Sequence, residues 1–230
     1  MMCDGLGVVM DSIQLTDGNN SAFAKHLIER LERVGIFVHS TNGLHIVCWE
    51  GGQSVDCDLL IRPSTVTRDY LSSSQCEIVI HDLYVPGGSN GWGPNDIDDY
   101  LDWLANPSGK SPSGESRYWV HIRDVVDMIV QLITCLPNGR IDVCGRRCWT
   151  NEEMGAELDM LYSRTMAAQN QSFQLENLKN HHPSIEYVGV SERPDLAPLH
   201  SALQLVDDYG WRPRVPFRIG LMECIAHRLT

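Results

Sequence analysis

The stretch VVMDSIQLTDGNNSAFAKHLIERLERVGIFVH, residues 8–39, decides the fold class. Val8 to Leu15 is mostly apolar and β-branched enough for a strand, and Thr16-Asp17-Gly18-Asn19-Asn20 punctuates it as a turn. From Ser21 to Val34 the residues Ala22, Leu27, Leu31 and Val34 lie mostly on one helical face, with Lys25, Glu29, Arg30, Glu32 and Arg33 mainly toward water. Asn20 or Ser21 can cap this helix and Gly35 ends it. Ile36 to His39 then reads as a short strand. Strand, turn, helix and strand in this order predict an α/β fold.

Outward from this unit the alternation continues. Leu44 to Trp49 and Asp58 to Arg62 read as strands, the second ended by Pro63. Cys76 to Ile80 is nearly continuously apolar, as in a parallel sheet covered on both faces. Pro86 to Pro94 is a glycine-rich loop, after which Asn95 can cap a helix from Asp96 to Leu104. Asn106 to Ser116 reads as a surface loop, Tyr118 to Ile122 as a strand, Arg123 to Leu136 as a helix stopped by Pro137-Asn138-Gly139, and Arg140 to Cys144 as a strand. Thr150 and Glu153 form a capping box for a helix reaching about Ser163. Beyond a polar stretch, Ile185 to Val188 reads as a strand, and Ser201 to Asp208 and Pro216 to Leu229 as helices.

The composition bounds the function. The 230 residues suit one main domain with a small C-terminal lobe, and 43% hydrophobic with 21% charged residues is an ordinary soluble balance. A net charge of -12 argues against nucleic acid or an anionic membrane as main partner, since both need a positive footprint. An anionic small molecule stays open, because a few arginines make one pocket locally positive. Scattered cysteines with no signal peptide ahead of them point to reduced thiols in a cytoplasmic protein. Cys144 and Cys148 lack a second ligand pair, so no metal site is expected. No apolar run is long enough to cross a membrane.

Three motifs in order carry a resemblance. Tyr118-Trp119-Val120-His121-Ile122-Arg123-Asp124-Val125-Val126 is similar to the phrase F-V-H-V-x-D-V-V. Cys144-Gly145 followed by Trp149-Thr150-Asn151-Glu152-Glu153 is similar to a strand-to-helix step N-V-G … T-x-x-E. Arg193-Pro194-Asp195, then Tyr209-Gly210-Trp211-Arg212-Pro213 and Ile219-Gly220-Leu221, is similar to the tail R-P-G-D … L-G-W-x-P … G-L. His81 to Gly87 more weakly matches R-x-x-N-V-Y-G-P, without its Arg and Asn. Together these resemble the NAD-dependent epimerase/dehydratase family, the extended short-chain dehydrogenases/reductases. The resemblance implies a Rossmann-like α/β domain over residues 1–230: a mostly parallel sheet flanked by helices, with residues of about 82–117 and 145–230 contributing to a small C-terminal substrate lobe.

It also shows what has changed. The family's dinucleotide turn has three spaced glycines, and the matching stretch here is Gly18-Asn19-Asn20-Ser21-Ala22-Phe23-Ala24, with Ser21 and Ala24 at the second and third. Gly18, Ser21 and Ala22 remain as weak cofactor-binding candidates, and NAD or NADP is possible at a degenerate site. The acidic residue expected after the second strand is replaced by Ser40, Thr41 and Asn42. The family's hydride chemistry uses a Tyr with a Lys four residues later. Here no tyrosine has one, and Lys25, Lys110 and Lys179 are the only lysines. Members are usually longer, and the segment that would carry the pair is missing between Pro63 and Cys76.

Weak catalytic candidates are Asp82, Tyr84, Tyr70 and His121, the first two because an Asp near a Tyr can do acid/base work without nicotinamide. For substrate, the resemblance implies a diphosphate contact at Arg193, whose guanidinium fork suits phosphate oxygens; Arg146, Ser64 and Thr65 are further candidates. The expected function is a non-canonical epimerase/dehydratase-like protein binding a nucleotide sugar or biosynthetic intermediate without standard hydride transfer. The alternatives are an NAD(P)-dependent sugar epimerase, dehydratase or reductase with a rearranged site, and a non-catalytic interaction or regulatory subunit, as homodimer or heteromeric partner.

Overall fold

A computed structural model describes residues 12–17, 21–38, 43–52, 56–67, 73–175, 192–207 and 209–230. Six strands, β1 (Ser12–Asp17), β2 (Phe37–Val38), β3 (Leu44–Cys48), β4 (Cys57–Pro63), β5 (Ser74–Ile80) and β8 (Gly139–Val143), form one sheet in the order β2-β1-β3-β4-β5-β8. Every adjacent pair is parallel. The chain moves from β1 outward to β2, then crosses back over β1 to β3, so the order reverses between β1 and β3. A second, two-stranded sheet pairs β6 (Leu83–Tyr84) with β7 (Val120–His121).

The period-two pattern of the strands sorts the sheet into two unlike faces. Ile46 and Cys48, Leu59 and Ile61, Cys76, Ile78 and Ile80, and Ile141 and Val143 all join one core. Over it lie α1 (Ala22–Arg33), α3 (Ile122–Leu132) and α5 (Ala197–Asp207), through Phe23 and Leu27, Val125 and Ile129, and Leu199 and Leu203. The alternate residues Val47, Trp49 and Leu60 form a separate small cluster with Cys57 and Val66, to which no described helix contributes. Beside it the buried Arg62 donates to Glu77 at 2.7 Å. Among the described residues the sheet-covering helices gather on one face. The reason is chain length: residues 49–56 and 64–73 are all that connect β3 to β4 and β4 to β5. A crossover that carries a helix usually takes about a dozen residues or more.

The remaining helices, α2 (Asp96–Ala105), α4 (Asn151–Gln169) and α6 (Phe217–Leu229), form a C-terminal lobe around a second core of Tyr84, Trp119, Met154, Leu158, Leu221 and Ile225. Gly220 permits this packing, since a Cβ there would sit 2.1 Å from the Tyr84 hydroxyl.

Local differences from the sequence reading have local causes. Asn95 makes no side-chain cap bond to α2. Helix α4 runs on past Ser163 because Met166, Ala167 and Ala168 are good helix formers. Helix α3 stops at Leu132, short of Leu136. Helix α5 starts at Ala197 because the Asp195 carboxylate accepts from its N–H, and Pro198 is tolerated in the first turn. Pro63 belongs to β4, paired with Ile80. The strand reading at Ile185 to Val188 lies outside the described residues, as do residues 8–11.

Candidate functional site

Strands β4, β5 and β8 end at one edge of the sheet, where ligands bind in open α/β folds. Just past their ends, Ser64 N–H donates to Ile80 O and His81 N–H donates to Val143 O, both at 2.8 Å, so the ladder holds Ser64 and His81 at this edge. Asp82 follows with φ +48°, a left-handed conformation that Asp tolerates better than most residues. Its carboxylate accepts from Tyr118 N–H at 2.8 Å, and its carbonyl accepts from Val120 N–H at 3.1 Å. The segment bearing Arg117 is thereby clamped against the sheet end. Gly145 closes the same junction: a Cβ there would meet the Trp119 carbonyl at 2.2 Å.

These residues line a cleft of about 520 Å³ with Arg140, Asp142, Glu192 and Arg193. Two of its arginines are committed. Arg117 donates to Asp96 at 2.7 Å and reaches Asp82 at 3.4 Å. Arg140 and His81 both contact Asp142 at 2.7 Å. Burial opposes the charged Asp142, but these hydrogen bonds outweigh it and hold the carboxyl below its usual value. Arg193 differs. It is exposed, and it makes a long hydrogen bond, 3.5 Å, to the carbonyl of Arg146. Among the described residues no carboxylate lies within ion-pair reach of it, and neighbouring Asp195 is engaged at the start of α5.

The cleft brings together Ser64, Asp82 and Arg193, with Arg146 adjoining through its carbonyl. Thr65 is exposed and does not line it. Tyr84 sits elsewhere, in the lobe core, with ring contacts to Phe217 at 5.5 Å and His121 at 5.0 Å. Burial there pushes its hydroxyl far above the usual tyrosine range, which unsuits it for proton transfer at neutral pH. Asp82 and Tyr84 therefore do not share a pocket. His121 caps α3, its Nδ1 accepting from Arg123 N–H at 3.1 Å, and lines a different groove. Gly18 and Tyr70 lie outside the described residues. Ser21 is the N-cap of α1, its hydroxyl accepting from Ala24 N–H at 3.0 Å, and Ala22 is the first helical residue.

Where the strand order reverses, a side chain from the glycine-rich loop intervenes. Trp92 stacks on Phe23 in the first turn of α1, centroids 4.2 Å apart and planes 13° from parallel. Its indole N–H donates to Glu50, just beyond β3, and the residue is 1% exposed. The glycine-rich loop was legible in the sequence but the place of Trp92 was not, because nothing local says which helix a loop tryptophan will reach. Arg117, Arg140, His81, Asp142 and Glu192 were also missed as cleft residues, although Arg140 and Asp142, alternating on one strand, carry a same-face signal.

The same arrangement of strands and helices recurs in solved structures. A UDP-N-acetylglucosamine 4-epimerase from Bacillus cereus superposes with a TM-score of 0.54 at 9% identity, over 95% of this chain and 98% of that one. A UDP-glucose 4-epimerase from Thermus thermophilus, in complex with NAD, gives 0.52 at 13% identity, over 94% and 98%. A GDP-mannoheptose C4 reductase from Campylobacter jejuni, with NADP bound, gives 0.57 at 10% identity, over 96% and 98%. The chain has the epimerase/dehydratase fold. No family model and no curated protein sequence matches it, so the likeness is one of fold. Among the described residues, no helix is long and apolar enough to cross a membrane, and no cluster of three His, Cys, Asp or Glu side chains could hold a metal ion.

Proposed function

We propose that this epimerase/dehydratase-fold protein binds a nucleotide sugar, or a similar phosphorylated intermediate, in the cleft at the ends of β4, β5 and β8, without standard hydride transfer. Arg193 carries the reading: it is the cleft arginine with no carboxylate partner among the described residues, and a guanidinium fork suits a diphosphate. Asp82, Asp142 and Glu192 face the same space and are acceptors for sugar hydroxyls.

Two observations support the absence of hydride transfer. No Tyr has a Lys four residues on, so the pair that the family's hydride chemistry uses is absent from the sequence. The surroundings of α1 support the same reading: the Ser21 hydroxyl caps α1, and Trp92 stacks on Phe23 and donates to Glu50 near the reversal of strand order. In this reading the chain binds and orients a ligand, and any chemistry is non-redox.

Calorimetric titration with UDP, a UDP-sugar, NAD and NADP tests it. A UDP-sugar should bind, and Arg193→Ala should weaken it at least tenfold. NAD and NADP should give no heat at millimolar concentration. Equal UDP-sugar affinity in wild type and Arg193→Ala, or tight NAD binding, would sink the proposal.

A further inference from the structure

On the helical side of the sheet, a groove of about 680 Å³ runs between α1, α3 and α6. It is separate from the Arg193 cleft. Its walls include apolar Pro86, Ile122 and Val126, and its polar groups include His121, Arg123 and Glu223. His121 is 2% exposed, and its bonding fixes its tautomer. Because Nδ1 accepts the Arg123 N–H, the proton of the neutral ring resides on Nε2. That Nε2–H is buried with no hydrogen-bond partner. Glu223 Oε2 is 3.4 Å away without the alignment a hydrogen bond needs, while the other oxygen of Glu223 pairs closely with Arg123. A buried donor left unmade is costly, so a better-seated acceptor has free energy to gain.

The groove suits an anion for further reasons. It opens at the N-terminus of α3, where the helix dipole favours negative charge. Arg30 is paired with Asp127, Arg123 and His121 share the Glu223 carboxylate, and Glu29, Arg33, His26 and His227 also line the groove. Glu223 is only part-buried, on the last helix, and can turn outward. Its carboxylate thus marks the chemistry these two donors recognise, in an imperfect fit.

We propose that this groove is a second binding site, for a small organic carboxylate, in which His121 Nε2–H and the Arg123 guanidinium hold the ligand carboxylate in the place Glu223 takes, while Ile122, Val126 and Pro86 contact its apolar body. Its volume falls within the usual range for small-molecule pockets, roughly 300–1,000 Å³.

Hexanoate is the probe, followed through the His121 side-chain ¹⁵N–¹H signal, with inorganic phosphate as a competitor. The Nε2 proton should shift saturably. Glu223→Gln, which removes the internal competitor's charge and keeps its shape, should tighten hexanoate at least tenfold. Arg193→Ala should leave this binding unchanged, which separates its outcome from that of the nucleotide-sugar cleft. An unmoved or non-saturating His121 signal overturns the proposal, as does Glu223→Gln binding no tighter than wild type. Phosphate binding as well as hexanoate overturns the carboxylate assignment. If Glu223→Gln does not fold, the wild-type titration decides alone: saturation supports the site and its absence overturns it.

Discussion

His121 shows how much one side chain can be asked to do. Its ring caps α3, packs edge-on against Tyr84 and carries a buried donor. Burial, with the Arg123 and His26 charges in support, pushes its pKa down from 6.5 to about 3. The folded protein therefore binds this proton less well than the unfolded chain. Stability from this group is full above about pH 6.5 and is lost as the pH falls toward about 3. Between pH 7.5 and pH 5.0 the expected loss is about 2 kcal/mol, from 1.36 kcal/mol per pH unit below the unfolded pKa. His121→Asn, which keeps a capping side chain, should lose that much less over the same interval in urea unfolding. Parallel pH profiles for the two proteins would refute the assignment. The sequence showed a histidine at a strand end before a helix; the local cap with Arg123 sets its tautomer, but what surrounds its Nε2 depends on Glu223 of α6, distant in the chain.

At the scale of elements, the legible parts were those governed by neighbours in sequence. The capping box is the clearest case: Thr150 Oγ1 accepts from Glu153 N–H at 3.1 Å, and the Glu153 carboxylate accepts from Thr150 N–H at 3.0 Å. Thr150→Ala should cost about 1 kcal/mol in urea unfolding, as a lost N-cap typically does. A change below a few tenths would mean that packing of Met154, Leu158 and Leu161 alone holds the start of α4. Boundaries were less legible, as at the far end of α4, where the stop is a matter of competing weak propensities.

For the whole molecule, the two cores are coupled through the loop after β6. Leu83 and Trp92 belong to the sheet core, whereas Tyr84, between them in sequence, belongs to the lobe core. Trp92 also bridges α1 and Glu50. Trp92→Ala should destabilise by about 3–5 kcal/mol, the usual cost of emptying a large aromatic site. Urea unfolding checks the magnitude; a loss under about 1 kcal/mol would mean that the indole is not held as the stack implies.

The amino-acid pattern alone determined the α/β class, the alternation of apolar residues along the strands, and the caps at Ser21 and Thr150, because period and capping chemistry act over a few residues. It also offered Ser64, Asp82 and Arg193 as candidates, and showed that no tyrosine is followed four residues later by a lysine. Tertiary structure decided the rest: that Arg117 and Arg140 are paired while Arg193 has no carboxylate partner among the described residues, that Asp82 and Tyr84 part company, and that Trp92 lies across α1. Those outcomes depend on which distant side chains meet in three dimensions, and charge pairing, burial and stacking are set only there.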